Sequence, residues 1–377
     1  MKIIITLLVF LFPLCLNAQN ISSDESNRGN SKFKIGLILP LSGILQEYGQ
    51  AARHGIDMAI KDRPELFTHI DLVYEDSQWD AAKAVAAFNK LRNFDDVNLI
   101  YSWGNPTTEA LAPVALRQKF PLIAMSSDGR VSAHNPFVIR TINTAELLAK
   151  PLAAHLTAQG HKRMGIVVFS NSYVEGLYQG LLKYLPATTV LELVERVDAT
   201  QQDFRATILK VRQAKYDALG VFLVSGQVSS FYKQLSASGL KLKTFGPDFL
   251  DSQNEVQASG EGIEDAVFST TDITPKFQQA YLDAYKNDSQ IAFAGNMYDT
   301  ISAVAESFQG ASHALSSEEV LARLGAIGRR SGVCGEYRLS EYPEQGKFLE
   351  FPVVLKVIKG GKILRLDPEV AAPLSNK

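Results

Sequence analysis

Short apolar runs and amphipathic stretches alternate along most of the chain. Lys34–Leu39 (KIGLIL) is a compact apolar run ending at Pro40, and it predicts a strand. Gly49–Lys61 places Ala52, Ile56, Ala59 and Ile60 at helical spacing. Ile70–Tyr74 predicts a strand, after which Asp80 caps a helix with Val85, Phe88 and Leu91 on one face. Asn98–Ser102 is a strand. Asn105-Pro106 opens the next helix, with a capping residue and then proline at its first position, and Pro121–Met125 returns as a strand.

After a break near Arg140–Thr144 the alternation resumes. Helices are predicted over Ala145–Gln159, Tyr173–Tyr184, Asp203–Gln213 and Gln227–Ser238, the last stopped by Gly239. Strands fall at Met164–Phe169, Thr189–Val194, Ala218–Val224, Thr244–Gly246 and Ala266–Thr270. A helix starts at Thr274-Pro275, another covers Asn296–Phe308, and the capping box Ser316-x-x-Glu319 opens a third. Phe351–Ile358 and Lys362–Leu366 flank Gly360-Gly361 as a β-hairpin.

Repeated strand–helix text implies a parallel sheet covered by helices on both faces. Two such series predict an α/β protein of two doubly wound parallel-sheet lobes. Spacing alone leaves open which lobe takes the helical stretch 274–328. Ligands of open α/β sheets sit at the carboxyl ends of the strands, so two lobes can share one cleft.

The N-terminus is written differently. Lys2 is followed by the apolar run Ile3–Leu16, and Ala18 supplies a small residue for cleavage. Residues 1–18 are therefore expected to be a cleaved signal peptide and 19–31 a polar tether. Cleavage removes Cys15 and leaves Cys334, so no internal disulfide is expected. Cys15 lacks the small preceding residues that a lipidation signal needs, so the mature chain is expected in the periplasm without lipid.

Composition narrows the function classes. The formal charge is −2, which argues against a nucleic-acid partner. The six histidines show no metal-ligand spacing, and no His-Glu-x-x-His, Gly-x-Ser-x-Gly or P-loop pattern occurs. The Ser-x-x-Lys match at Ser230–Lys233 reads as ordinary mid-helix surface residues. No cofactor is expected, and an enzyme is a minor alternative. The polar loops that follow strands carry more information: Leu39–Gly43, Asn105–Thr108, Ser126–Gly129 and Ser170–Tyr173. With Asn105 as cap, the amides of Thr107 and Thr108 become free donors at a positive helix end, suited to a carboxylate or a phosphate.

Taken in order, several segments resemble the leucine/isoleucine/valine-binding proteins, the type 1 periplasmic substrate-binding proteins of amino-acid ABC transporters. They are IGLILPLSGILQEYGQAARHGIDMAI (35–60), EDSQWDAAKAVAAFNKL (75–91), NPTTEALAPVALRQKFPLIAMSSD (105–128), FSNSYVEGL (169–177), DFRATILKVR (203–212), FGPDFLDS (245–252) and NMYDTISAVAES (296–307). The resemblance implies a two-lobed clamp joined by three crossovers. Its first lobe would comprise 32–143 and 272–346, its second 144–271 and 347–377.

The same resemblance carries over site residues. Asn105 and Thr107 match the loop that holds a ligand carboxylate, and Ser126, Ser127 and Asp128 match a second polar loop. Tyr173 matches a second-lobe tyrosine, Asp248 an acid that meets the ligand ammonium, and Tyr48 a tyrosine at the cleft rim. Asp128 departs from the family, which commonly has threonine there. Two like charges 4 Å apart cost roughly 4 kcal/mol at an effective dielectric near 20. Either Asp128 turns away or the ligand is not an ordinary aliphatic amino acid. The implied function is capture of an amino acid or amide-like solute for an inner-membrane ABC permease. The protein is expected to be a monomer. A sensing protein of the same fold is the alternative.

Overall fold

The computed structural model describes residues 32–287, 289–311 and 315–366. The expected signal peptide, the tether and the final segment 367–377 lie outside them. In chain order the strands are β1 (Phe33–Leu39), β2 (Ile70–Asp76), β3 (Leu99–Trp103), β4 (Leu122–Met125), β5 (Val138–Arg140), β6 (Arg163–Phe169), β7 (Val190–Val197) and β8 (Ala218–Phe222). They continue as β9 (Lys243–Gly246), β10 (Val267–Thr271), β11 (Arg330–Gly332), β12 (Gly335–Tyr342), β13 (Gly346–Glu350), β14 (Val353–Lys359) and β15 (Lys362–Arg365).

Two mostly parallel sheets result. The first runs β2-β1-β3-β4-β5-β13-β12-β11 and the second β7-β6-β8-β9-β10-β14-β15. In each, the parallel strands lie at one side and antiparallel strands complete the other edge. β3 and β8 are buried throughout, because helices cover both faces of a parallel sheet. The expected fold class is therefore the observed one.

The helix Ile291–Ser307 packs on Gln46–Asp62 of the first lobe. A Cβ at Gly55 would lie 2.1 Å from the Ala294 carbonyl oxygen, so only glycine lets these helices approach this closely.

The structure adds strands that the sequence does not show and moves one lobe boundary. The apparent break near residue 140 contains β5, a strand too short to show a period, and β11 to β13 were not anticipated. β12 is largely exposed and carries charged residues, which hides its strand character. β13 pairs with β5 through Lys347↔Ile139, so residues 347–350 belong to the first sheet and not to the second. The third crossover follows Glu350.

The crossovers are tied side to side. Asn143 donates to the Phe351 carbonyl (2.8 Å) and accepts from the Phe351 amide (3.1 Å). The Asp272 amide donates to the Pro352 carbonyl (3.0 Å), and Asn296 donates to the Thr141 carbonyl (2.6 Å). Rotation of one lobe against the other must flex these segments together.

Candidate functional site

A cavity of about 50 Å³ lies between the lobes at the carboxyl ends of the strands. The first lobe contributes Trp79, Trp103, Gly104, Asn105 and Ser127, and the second Asn171, Tyr173, Val224 and Phe249. Met125, Ile142 and Phe293 add to an apolar wall.

Local structure explains how these side chains are presented. Asp76, at the end of β2, accepts the amides of Leu41 (2.9 Å) and Gln78 (2.9 Å) and the Ser42 hydroxyl (2.6 Å). Burial works to raise its pKa, and these bonds together outweigh burial and hold it below its ordinary value. The clasp steadies a turn in which Gln78 and Trp79 both adopt positive φ, 50° and 60°. Trp79 is thereby carried toward the second lobe, where it stacks on Phe169 at 6.3 Å.

Asn105 is not the cap of its helix. Gly104 occupies that position with φ 92°, and Asn105 is the first residue of Asn105–Gln118. Its side chain is thereby free for the neighbouring loop. Oδ1 accepts the Ser127 amide (3.0 Å) and the Ser126 hydroxyl (3.0 Å), while Nδ2 faces Ser127 Oγ (3.1 Å). Asn105, Ser126 and Ser127 are thus brought together, with Asn105 and Ser127 on the cavity. Thr107 turns away: its hydroxyl lies 2.6 Å from the Trp103 carbonyl and 2.9 Å from that of Gly104. The Thr108 amide is also occupied, bonded to the Gly104 carbonyl at 3.0 Å, so it is not the free donor expected.

Asp128 turns away as well. Both its oxygens are gripped by Arg130, at 2.9 Å from Nε and 2.6 Å from Nη2. Burial works to raise its pKa, but the Arg130 bonds outweigh this and keep it below the ordinary carboxylate range. The acid that departs from the family pattern is therefore neutralised outside the cavity.

In the second lobe, Tyr173 lines the cavity and donates to Asp248 Oδ1 at 2.6 Å. Asp248 is buried behind it and does not line the cavity. Burial pushes the pKa of Asp248 up to about 7, against the opposing Tyr173 bond. Tyr48 is not at the rim. It is fully buried in an aromatic cluster with Phe293 (5.3 Å), Trp103 (5.7 Å) and Phe249 (5.8 Å).

Polar contacts also cross between the lobes. Ser172 donates to Glu109 (2.6 Å), and Ser225 donates to Glu47 (3.0 Å). The lobes are drawn together around the cavity. The two tryptophans, Phe249, Phe293 and Glu47 escaped sequence reading. Trp103 ends β3 and reads equally well as sheet core, with its place directly before the Gly104-Asn105 turn as the one signal. Trp79, Phe249 and Phe293 lie on a turn, a short 3-10 turn and a helix that no local pattern brings together. Among the described residues no cluster of three or more His, Cys, Asp or Glu is placed to hold a metal, and no helix is long and apolar enough to cross a membrane.

Two α/β lobes closing over a cavity at their strand ends define a solute-binding clamp. The chain belongs to the periplasmic binding protein family, whose profile matches residues 32–352. Among solved structures it is similar to the leucine-binding protein LivK from Thermotoga maritima, with 20% identity over 89% of this chain and 98% of that one, and a TM-score of 0.78. It is also similar to the branched-chain amino acid substrate-binding protein LivJ from Streptococcus pneumoniae in complex with isoleucine (19% identity, 90% and 100% covered, TM-score 0.78). A third is an ABC-transporter solute-binding protein from R. palustris in complex with benzoate (20% identity, 91% and 97% covered, TM-score 0.78). At this identity the likeness establishes the fold. No curated protein matches the chain.

Proposed function

We propose that this protein is a periplasmic solute-binding protein that closes on a small organic acid with an apolar, aromatic-compatible body and passes it to an ABC permease. The observation that carries this reading is the composition of the cavity wall. Trp79, Trp103, Phe249 and Phe293 enclose it, and the polar side chains are confined to Asn105, Ser127, Asn171 and Tyr173. Asn105 Nδ2, the Ser127 hydroxyl and the positive end of the Asn105–Gln118 helix make one polar end suited to a carboxylate. The benzoate complex of the R. palustris protein supports the class.

One observation favours an amino acid instead. Asp248 lies directly behind Tyr173, and an ammonium that displaced the Tyr173 hydroxyl would find a carboxylate there. Isothermal titration calorimetry with benzoate, 4-hydroxybenzoate, leucine and isoleucine decides between the two. Binding of the benzoates in preference is expected. Amino-acid binding alone establishes the second reading, and binding of neither class overturns both. Loss of uptake of the bound solute on deletion of the protein tests delivery to a permease, whereas unchanged uptake favours a sensing role for the same fold.

A further inference from the structure

Arg140, the last residue of β5, is fully buried. Among the described residues no carboxylate lies within ion-pairing distance of it. Its partners are neutral: Nε donates to Ser132 Oγ (2.9 Å), Nη1 to the carbonyls of Ser126 (3.2 Å) and Ile142 (3.1 Å), and Nη2 to that of Gln345 (3.4 Å). The guanidinium also sits 4.6 Å from the Phe348 ring. Asp128 is the acid whose charge it feels most, yet both oxygens of that carboxylate are already held in the Arg130 fork. Burial lowers the Arg140 pKa to about 10, still well above neutrality, so it remains a cation.

A buried cation solvated only by dipoles is costly unless its charge is used. Its contacts show where the charge is directed. In a trans peptide the carbonyl and the N–H point in opposite directions. Arg140 holds the Ser126 carbonyl, so the Ser127 N–H is directed away from it, onto Asn105 Oδ1 at 3.0 Å. That bond leaves Asn105 Nδ2 to face Ser127 Oγ (3.1 Å) and Ser172 Oγ (3.4 Å), on the cavity side. Each link polarises the next, and hydrogen-bond chains in a low-dielectric interior strengthen one another. Ile142, the other residue whose carbonyl Nη1 holds, itself lines the cavity.

We propose that Arg140 is a specificity-determining positioning residue. It orients and polarises the Ser126–Ser127 peptide and the Asn105 amide, so that the first-lobe end of the cavity prefers a carboxylate to its neutral amide without a direct ion pair. This deepens the organic-acid reading above and rests on it.

The test compares benzoate with benzamide by calorimetry on the wild-type protein, Arg140→Gln and Arg140→Lys. A loss of packing weakens both ligands alike, so the benzoate-over-benzamide ratio isolates the electrostatic role. The ratio is expected to fall about tenfold in Arg140→Gln, the scale of one charge acting through a partly screened interior. In Arg140→Lys, which keeps the charge, it is expected to stay within about threefold of wild type. An unchanged ratio in Arg140→Gln overturns the proposal alone. If that variant does not fold, collapse of the ratio to unity in Arg140→Lys overturns it. If the wild-type protein binds amino acids rather than benzoates, the same ratio is read with leucine and leucinamide. Wild-type protein that binds none of these carboxylates overturns the solute reading and the proposal with it.

Discussion

Tyr173 donates its hydroxyl to Asp248 Oδ1 across 2.6 Å, which places an acid buried from solvent directly behind a residue that lines the interlobe cavity. Burial pushes the Asp248 pKa up to about 7, and it also pushes Asp299 up to about 6 although the Val333 and Cys334 amides bond its carboxylate. In both cases the folded state holds its proton more tightly than the unfolded chain. Between the ordinary carboxylate range and these raised values the native state binds more protons, so stability falls as pH rises. Once pH passes about 7 the contribution of Asp248 is spent and the slope flattens. Burial holds His54 and His155 below their ordinary value, which pulls the other way. The Asp248 contribution is therefore expected in the difference between wild type and Asp248→Asn by differential scanning calorimetry from pH 5 to pH 8, with a limit of about 1.4 kcal/mol per pH unit. Asp248→Asn removes one of the two contributions. An identical pH slope in that variant would show that Asp248 does not titrate there.

Asp128 is expected to be silent in solute binding. Its carboxylate caps the turn at Gly129–Val131 and pairs with Arg130, which is largely exposed. Asp128→Asn keeps the turn-capping oxygen and loses the charge pair, a change worth about 1 kcal/mol because the Arg130 end of the pair is open to solvent. Affinity for the preferred solute is expected to stay within twofold, and chemical denaturation to report the small loss. A tenfold change in affinity would return Asp128 to the cavity.

The turn that presents Asn105 depends on one glycine. Gly104 has φ 92°, and a Cβ there would stand 3.1 Å from the Trp79 indole. Gly104→Ala therefore meets backbone strain and a packing conflict at the same residue, together on the order of 1–3 kcal/mol. A lower urea midpoint with an altered tryptophan emission is expected. An unchanged spectrum with full stability would mean that the turn has another conformation open to it.

The limits of the sequence follow from the same residues. β1, β3, β6 and β8 are largely apolar runs, and runs of that kind in alternation with helices leave few other folds. The Asn105 turn was visible as a polar loop at a strand end, yet the cap was assigned one residue late. A positive φ at Gly104 cannot be read from composition, and Asn105 is as good a cap as any residue. Asp128 reads as a ligand contact from its place in a polar loop at a strand end, and nothing in the sequence shows that Arg130, two residues on, takes both its oxygens. The aromatic wall stayed hidden for a different reason. Trp103, Phe249 and Phe293 come from separate elements, and the packing of the first lobe, with lobe closure for Phe249, brings them together in a way no local pattern encodes.

Tryptophan fluorescence offers the most direct check on the site. The chain has two tryptophans, and both line the cavity, one stacked on Phe169 of the opposite lobe and the other buried against Tyr48. Trp103 Nε1 is buried without a hydrogen-bond partner among the described residues, which leaves an indole donor available to a solute. Binding must change the surroundings of both rings, so emission is expected to shift or quench in step with saturation. Trp79→Phe keeps an aromatic face and is expected to preserve affinity within about threefold, whereas Trp79→Ala removes the wall and the stack and should weaken binding about tenfold or more. Trp103→Phe deletes only the donor. If the indole bonds the solute, affinity falls about three- to tenfold while the fold is retained, the cost of one hydrogen bond. Should calorimetry show saturation with no change in emission from either ring, the solute binds somewhere other than this cavity.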